Sequence, residues 1–559
     1  MFEVGVFYYW DNKILFFNLC FMKLILLSIF LTISFSCKDK AENINHDIQS
    51  LPNIIWLVAE DQSPDWFPMY GDSIQSLPNL ESLSHDGVVF TNAVAPVPVC
   101  APARSAIITG MYPTTLGTHN MRTYNMYAKG QNEPSIGIPN YSPLVPDGVK
   151  MFTEYLRING YYTSNGPKED YNFEKSEAAW SDSSKEHHWR NRESGQPFFS
   201  VFNFSVCHES QVWARTNDTL YVNPEEIKVP PYFPDTDVVR HDLAVNYSNL
   251  KRLDDQIGKV LNQLKSDGLY ENSYIFFYGD HGGPFPRYKR ALYDTGLKVP
   301  MVIKFPANEG AGSVDDRMFS FIDLAPTVLS LATIEPPKVM QGVAQFGTFE
   351  TKNKPKVTFH SSDRFDAVYD RLRAVRSSRF KYIKNFNTNL SRALPIAYRE
   401  QMGIMKELRR LDSANKLTEI TSTWMKPDKP NEEFYDLQKD PKELHNLSNL
   451  PEYKDSIDHY RDILNQWILE TKDLGEVEEK ILLNNWLIDG KQPKLTNLQL
   501  QEKDNTIELK HSKADATIVW RKLKDSVWNI YFEPLNKDIS FEAKAERIGY
   551  HDSEFLIWK

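Results

Sequence analysis

The sequence predicts an α/β fold in which buried strands alternate with amphipathic helices. Continuous apolar runs at residues 53–59, 197–204 and 273–279 are typical of strands buried on both faces of a sheet. Between them, segments 146–158 and 243–264 repeat apolar residues at three- and four-residue spacing, which predicts helices. This alternation favours one large sheet flanked by helices.

The chain of 559 residues is longer than one compact core usually supports. Strand-like runs near residue 380 predict a smaller antiparallel subdomain, and the apolar–polar alternation beyond about residue 470 predicts an appended β-sandwich. We divide the chain into an export signal at 1–37, a polar tether at 38–50, a large α/β domain at 51–370, a C-terminal subdomain at 371–470 and the small sandwich at 471–559.

The composition is that of a soluble globular protein, with 41% hydrophobic and 25% charged residues. The net charge of -10 argues against a nucleic-acid-binding protein, which is usually basic. Only Cys100 and Cys207 lie outside the N-terminal region, so the sequence does not imply a disulfide framework.

The N-terminal region resembles an export signal. A cationic start at Met22-Lys23 precedes a short apolar stretch and the small residues before Cys37, a pattern too short for a membrane span. We expect translation to start at Met22 and Cys37 to carry a lipid; a cleaved signal and an N-terminal anchor are the alternatives. The predicted location is the periplasm or the cell surface of a Gram-negative bacterium, with membrane contact only through Cys37.

Polar residues follow the predicted strands at the point where each strand ends. Glu60 and Asp61 follow the first run, and Asp280 and His281 follow the third. The carboxyl ends of strands are where ligands bind in open α/β sheets, and carboxylates suit calcium or magnesium. One acidic pair alone could be a helix cap, but two pairs at strand ends favour a metal site.

Cys100 begins the segment Cys-Ala-Pro-Ala-Arg, which ends at Arg104. Taken alone, this cysteine could be a buried thiol, or a nucleophile with His119 or His208 as its base. Four cations, each of which alone would be a solvated surface charge, together fit a site for an anion with several oxygens. They are Arg104, Lys168, His208 and Lys289.

These motifs together resemble the formylglycine-dependent sulfatases of the alkaline phosphatase superfamily. The signature C-x-P-x-R stands at Cys100 to Arg104 and is followed by Thr109-Gly110. Other family blocks occur in the expected order at residues 52–61, 160–168, 197–208, 280–282, 289–300 and 433–447. The resemblance covers roughly residues 51–470 and implies an alkaline-phosphatase-like mixed sheet flanked by helices.

The resemblance also implies roles for individual residues. A formylglycine-generating enzyme would oxidise Cys100, and one calcium ion would be bound by Glu60, Asp61, Cys100, Asp280 and His281. Arg104 and Lys168 would hold the hydrated aldehyde, while His208 and Lys289 would face the leaving oxygen. Two positions depart from the family: Glu60 stands where aspartate is usual, and Asp170 stands where a histidine is usual.

The implied activity is that of a sulfuric ester hydrolase acting on a sulfated oligo- or polysaccharide, either an algal one such as ulvan or a glycosaminoglycan. His119, His360, Asp363 and Arg364 are candidate sugar contacts, with core or surface roles equally open. A phosphatase-type member of the same superfamily is the alternative enzyme, and a non-catalytic glycan-binding lipoprotein is the alternative without catalysis. The phosphatase would use serine or threonine and usually a second metal site.

Overall fold

The computed structural model describes residues 51–124, 137–166 and 168–559. The predicted export signal, Cys37 and the tether lie outside the described residues. The residues from Leu51 to Lys559 form one compact unit. None of its described helices combines the length and the apolar character that crossing a bilayer requires.

A seven-stranded mixed sheet forms the centre of the large α/β part, with strand order β4-β5-β1-β6-β7-β2-β8. The strands of this part are β1 (Asn53–Ala59), β2 (Val88–Phe90), β3 (Ala93–Val94), β4 (Tyr162–Asn165), β5 (Phe198–Phe204), β6 (Ser273–Gly279), β7 (Met301–Lys304), β8 (Ser313–Asp315) and β9 (Phe319–Ser320). Strand β1 pairs in parallel with β5 and β6, whereas β7 runs antiparallel to β6 and β2. The short β3 and β9 pair with each other.

Helices cover both faces of this sheet. Along the chain they are α1 (Pro78–Asp86), α2 (Cys100–Thr109), α3 (Pro113–Leu116), α4 (Phe152–Ile158), α5 (Ser210–Ala214), α6 (Asp237–Ser266), α7 (Asp294–Leu297) and α8 (Leu324–Leu331). Alternate residues of β1 point to opposite faces, so that Ile55 and Leu57 pack with α6 while Ile54 and Trp56 pack with α4 and α8.

The three buried strands and the alternating layout confirm the predicted fold. Helix α4 is shorter than predicted, since it begins at Phe152 rather than near residue 146. The cause is local: Gly148 has a φ of 81°, a left-handed conformation that no α-helix continues through.

A separate antiparallel sheet follows the large α/β part. Its strands are β10 (Val357–Ser362), β11 (Leu372–Ser377), β12 (Phe380–Asn385) and β13 (Glu432–Asp436). Two helices, α9 (Gly403–Ser413) and α10 (Glu419–Ser422), lie between β12 and β13. Helix α11 (Lys454–Glu470) packs on the sheet through Ile457, Leu464 and Trp467. Strand β10 begins at Val357, which lies before residue 371, where we expected the C-terminal subdomain to begin.

Two small antiparallel sheets form the C-terminal end. They follow helix α12 (Glu479–Trp486), which the alternating pattern did not indicate. Their strands are β14 (Gln499–Lys503), β15 (Thr506–Lys510), β16 (Thr517–Lys522), β17 (Asn529–Ile530), β18 (Leu535–Asn536), β19 (Phe541–Glu546) and β20 (Leu556–Trp558). Ile507 and Leu535 of one sheet share an apolar cluster with Phe541 and Ala543 of the other, which is the packing of a sandwich.

Candidate active site

Parallel pairing brings three strand ends to one edge of the sheet. Ala59 at the end of β1 stands opposite Phe204 of β5 and Gly279 of β6. The residues that follow these strands therefore meet. The backbone N–H of Asp61 donates to Oδ1 of Asp280 at 3.0 Å, and Asp61 itself takes a left-handed φ of 55°.

Four of the five predicted metal ligands form one buried group at this edge. One donor atom from each of Asp61, Cys100, Asp280 and His281 lies within 4.8 Å of every other. His281 Nε2 is 3.1 Å from Asp61 Oδ1 and 3.2 Å from Cys100 Sγ. His281 Nδ1 lies 2.9 Å from the carbonyl oxygen of Gly282, which can only accept, so Nδ1 carries a proton and Nε2 is the nitrogen that faces Asp61 and Cys100.

Glu60, the fifth predicted ligand, lies beside this group and pairs with Lys168. Lys168 Nζ is 2.8 Å from Glu60 Oε2. The other oxygen, Oε1, is buried without a hydrogen-bond partner among the described residues. An unpaired buried carboxylate oxygen fits a hard cation, because such ions take oxygen ligands.

Cys100 is the first residue of helix α2, where a thiol experiences the positive end of the helix. Pro102 fits the first turn, because backbone N–H groups there have no acceptor within the helix. Burial raises the pKa of the Cys100 thiol, but Lys289, Lys168 and His281 outweigh burial and lower it to about 6. Burial raises the pKa of the other buried thiol, Cys207, well above its ordinary value.

Arg104 lies one helical turn after Cys100 and bridges two strand ends. Its Nε and Nη2 are 3.2 and 3.1 Å from Asp280 Oδ2, and its Nη1 donates to Asn203 Oδ1 at 2.8 Å. The planar guanidinium fixes its own position through this fork, which a lysine could not do.

Lys289 and Glu209 form an ion-pair network with Arg290. Lys289 Nζ lies 2.8 Å from Asp61 Oδ2 and 3.4 Å from Glu209 Oε1. Arg290 donates to both oxygens of Glu209, at 2.8 and 2.7 Å. Burial raises the pKa of Glu209, yet Arg290 and Lys289 overcome it and hold the pKa at about 2. Lys289 is thus held against Asp61 of the candidate metal-binding group.

His208 follows β5 and faces the same site. Its Nδ1 lies 2.8 Å from Ser210 Oγ. Burial and Lys289 lower the pKa of His208, but Asp61 and Cys100 outweigh them and raise it above its ordinary value. A histidine with a raised pKa at a cavity wall can donate a proton near neutral pH.

Comparison with known proteins decides the family. The "Sulfatase" family model matches residues 52–334, and the model "N-sulphoglucosamine sulphohydrolase, C-terminal" matches residues 279–395. An "Ulvan-active sulfatase" of Formosa agariphila is 37% identical over 603 residues, covering 98% of each chain. The chain belongs to the sulfatase family. It is therefore a sulfuric ester hydrolase.

More distant proteins show the same relationship. Human "N-sulphoglucosamine sulphohydrolase" is 24% identical to this sulfatase and covers 77% of its chain and 93% of the human one. A solved structure of BT4656 with its substrate D-glucosamine-2-N,6-O-disulfate superposes with a TM-score of 0.53 at 16% identity. The superposition covers 76% of this chain and 100% of the BT4656 chain. At that identity the likeness shows the shared fold.

A cavity of about 550 Å³ opens onto the candidate catalytic residues of the sulfatase. Glu60, Cys100, Lys168 and His208 line it. Asp170, which stands at the position of the family's usual histidine, also lines it and takes a left-handed φ of 53°. Further lining residues of this cavity are Arg122, Tyr124, Tyr171, Lys175, Asn203 and Gln211.

The four predicted sugar contacts do not line this cavity. Arg364 is buried and donates to both oxygens of Glu479, at 2.6 and 2.8 Å. His360 is fully buried, with Nδ1 at 2.9 Å from the carbonyl oxygen of Ala95.

The other two of these residues are also buried. Asp363 accepts from two nitrogens of Arg373, at 3.1 and 2.9 Å. His119 is 2% exposed, and burial lowers its pKa. The contacts of His360, Asp363 and Arg364 hold elements of the fold together, and a sugar-binding role for all four residues stays a prediction.

Sequence reasoning missed three residues of the site: Asn203, Glu209 and Arg290. Asn203 is a polar side chain within an otherwise apolar strand, a signal that could have been used. The pairing of Glu209 with Arg290 spans 81 residues of sequence and had no local signal.

Proposed function

We propose that this sulfatase hydrolyses sulfate esters of a sulfated polysaccharide outside the cytoplasm. The observation that carries the proposal is the convergence of Cys100 with a buried carboxylate–histidine group and with cations at the wall of one cavity. The similarity over nearly the whole chain to a relative named for activity on ulvan supports a polysaccharide substrate, and ulvan is the first candidate. A glycosaminoglycan is the second, supported by the similarity to N-sulphoglucosamine sulphohydrolase.

We further propose that a formylglycine-generating enzyme oxidises Cys100 before the protein is active. The C-x-P-x-R signature and the position of Cys100 at the start of α2 support this. Formylglycine supplies a hydrated aldehyde as the nucleophile. Helix α2 orients the side chain of residue 100. Lys168 and Lys289 lie close enough to it to stabilise a negative charge on that side chain.

One calcium ion completes the site in this proposal. Asp61, Asp280 and His281 would bind it together with Glu60 and residue 100, because their donors converge and Glu60 Oε1 has no other described partner. Carboxylate oxygens are the ligands that calcium prefers. Calcium supplies a Lewis acid that offsets the charge of the sulfate group. Arg104 positions Asp280 and carries a further positive charge.

His208 is the proposed general acid. Its Nδ1 is engaged with Ser210, so Nε2 is the nitrogen left to protonate the sugar oxygen when the sulfur–oxygen bond breaks. Lys289 stabilises charge at the same oxygen, and Glu209 with Asp61 keeps the ammonium group in place. These residues therefore supply the proton and the positive charge that the leaving group needs.

Sulfate release from defined oligosaccharides tests the proposed function. Protein co-expressed with a formylglycine-generating enzyme should release sulfate from ulvan or glycosaminoglycan oligosaccharides, and mass spectrometry should show the Cys100 peptide converted. Cys100→Ala should abolish release, whereas Cys207→Ala, which removes the other buried thiol, should retain it. Undiminished release by Cys100→Ala would refute the assignment.

We also propose export and lipid attachment at Cys37. The support is the sequence of the N-terminal region, with its cationic start, apolar stretch and small residues before the cysteine. Labelling with radioactive palmitate in a Gram-negative host should mark the wild-type protein and not Cys37→Ala. Equal labelling of both proteins would contradict the proposal.

A further inference from the structure

A second cavity lies among the loops that follow β6, β12 and α10. Its volume is about 360 Å³, at the lower end of the range for small-ligand pockets. It shares no lining residue with the catalytic cavity. The mechanism above uses none of its residues.

Arg287 is the best-fixed cation of this second cavity. Its guanidinium carbon lies 4.3 Å from the ring centre of Tyr232 and 4.2 Å from that of Tyr293. Nη2 donates to the carbonyl oxygens of Lys442 and Glu443, both at 2.8 Å. Nη1 is buried without a partner, and no carboxylate in the described part of the chain forms an ion pair with Arg287.

Two other lining residues also leave buried donors unpaired. Arg392 donates through Nη2 to Glu433 Oε1 at 2.9 Å, whereas its Nε has no hydrogen-bond partner in the structure as described. The indole Nε1 of Trp424 is likewise buried and unpaired. An unsatisfied buried donor costs about 1–3 kcal/mol, and these three donors, which have almost no accessible surface, become available to a ligand only when their side chains turn toward the cavity.

The charge balance of the lining favours an anion. Lys429 is neutralised by Asp370 at 2.6 Å, and the acidic Glu443 is neutralised by Lys381 at 2.8 Å. Asp428 is the remaining acid of the lining and is exposed to solvent.

Against this one acid stand two cations. Arg287 and Lys426 have no ion pair among the described residues, whereas Arg392 is paired with Glu433 at 2.9 Å and adds no net charge. The positive charge that is left over is thus concentrated at one cavity.

Aromatic rings form much of the remaining wall. Tyr232, Tyr293, Trp424 and Tyr435 all line the cavity. Flat apolar ring faces beside hydrogen-bond donors suit a ligand that has both an apolar face and polar edges. A sugar ring with an acidic substituent has this combination.

We propose that this cavity binds an acidic sugar unit, whose carboxylate or sulfate group is received by Arg287 and Lys426. The choice of a saccharide rests on the proposed polysaccharide substrate, but not on the chemistry at Cys100. Such a site would hold a second part of the polymer while another part occupies the catalytic cavity. The polymer would then bind more tightly than its single units.

Binding of small probes to the Cys100→Ala protein tests the proposal. The probes are glucuronate, glucose 6-sulfate and neutral glucose, followed by ligand-observed NMR titration. Binding of glucose 6-sulfate alone assigns the sulfate group, binding of glucuronate alone assigns the carboxylate, and binding of both assigns either acid. Neutral glucose binding as tightly as the acidic probes would overturn the proposal.

Variants separate the second cavity from the catalytic one. Arg287→Gln in the Cys100→Ala background should weaken the acidic probes at one class of sites by about tenfold or more. If that variant fails to fold, Lys426→Glu reverses an exposed charge of the lining and should weaken binding by about three- to tenfold. Lys416→Glu, at an exposed lysine outside the cavity, is the matched control and should bind as the background protein does.

Identical titrations of Lys426→Glu and Lys416→Glu would overturn the second site. This result would leave the proposed function untouched, because that is judged by sulfate release from the matured enzyme. Conversely, a matured enzyme that releases no sulfate while Lys426→Glu loses probe binding would refute the proposed function and retain the second site.

Discussion

Replacing Glu209 by glutamine removes one charge from the network that fixes Lys289. Glu209 is 1% exposed, accepts two hydrogen bonds from Arg290 and lies 3.4 Å from Lys289 Nζ. Glutamine keeps nearly the same volume but leaves two buried cations with less negative charge. Its amide also presents a donor to Arg290, which needs an acceptor.

The loss of stability in Glu209→Gln depends on the ion pairs that Lys289 and Arg290 keep. Breaking a buried ion pair by changing one partner costs about 3–5 kcal/mol. Asp61 still holds Lys289 at 2.8 Å, and Asp366 still reaches Arg290 at 3.5 Å. We therefore expect the free energy of unfolding of Glu209→Gln to fall by about 3 kcal/mol, at the lower end of that range. With Lys289 displaced, kcat/KM should fall by about 10- to 100-fold.

Denaturant unfolding and sulfate-release kinetics measure both effects. Glu400→Gln is the matched control, because Glu400 also accepts a fork from an arginine, Arg409, but on the surface, with the two side chains 31% and 37% exposed. That control should lose less than about 1 kcal/mol and keep its kinetics. Equal stabilities of the two variants, together with an unchanged kcat/KM for Glu209→Gln, would refute the reasoning.

Three further results are expected. Calcium at 100 times its dissociation constant should raise the free energy of unfolding of the wild-type protein by about 2.7 kcal/mol. In thermal melts, Asp280→Asn should lose most of this gain, and an equal gain in both would exclude Asp280 as a ligand. Arg104→Lys keeps the charge but cannot make the hydrogen bonds to Asp280 and Asn203 together, so kcat should drop by about tenfold or more, and unchanged kinetics would contradict that role. Burial, with Lys381, lowers the pKa of His360 from 6.5 to about 3. The unfolded chain therefore binds a proton between these values while the folded protein does not, and stability is lost as the pH falls through this window, by up to about 1.4 kcal/mol per pH unit. His360→Gln should flatten that part of the pH profile in denaturant unfolding, and a profile as steep as that of the wild-type protein would contradict it.

The strand pattern by itself determined the catalytic edge of the sheet. The apolar runs of β1 and β6 end at residues that were predicted to bind metal, and Asp61, Asp280 and His281 do converge on Cys100. The sequence could predict this convergence because a run of apolar residues is a local signal, and because the ends of neighbouring parallel strands lie at the same edge of a sheet. The signature Cys-x-Pro-x-Arg is local too, since one helical turn joins its two functional residues.

Only the tertiary structure decided which polar residues are buried and with what partner. Glu209 meets Arg290, and Arg364 meets Glu479 across 115 residues of sequence. No local pattern encodes such pairs, because an arginine at the surface and an arginine paired in the core look alike in sequence. The second cavity has the same origin: its wall comes from loops far apart in the chain, and only packing brings them together.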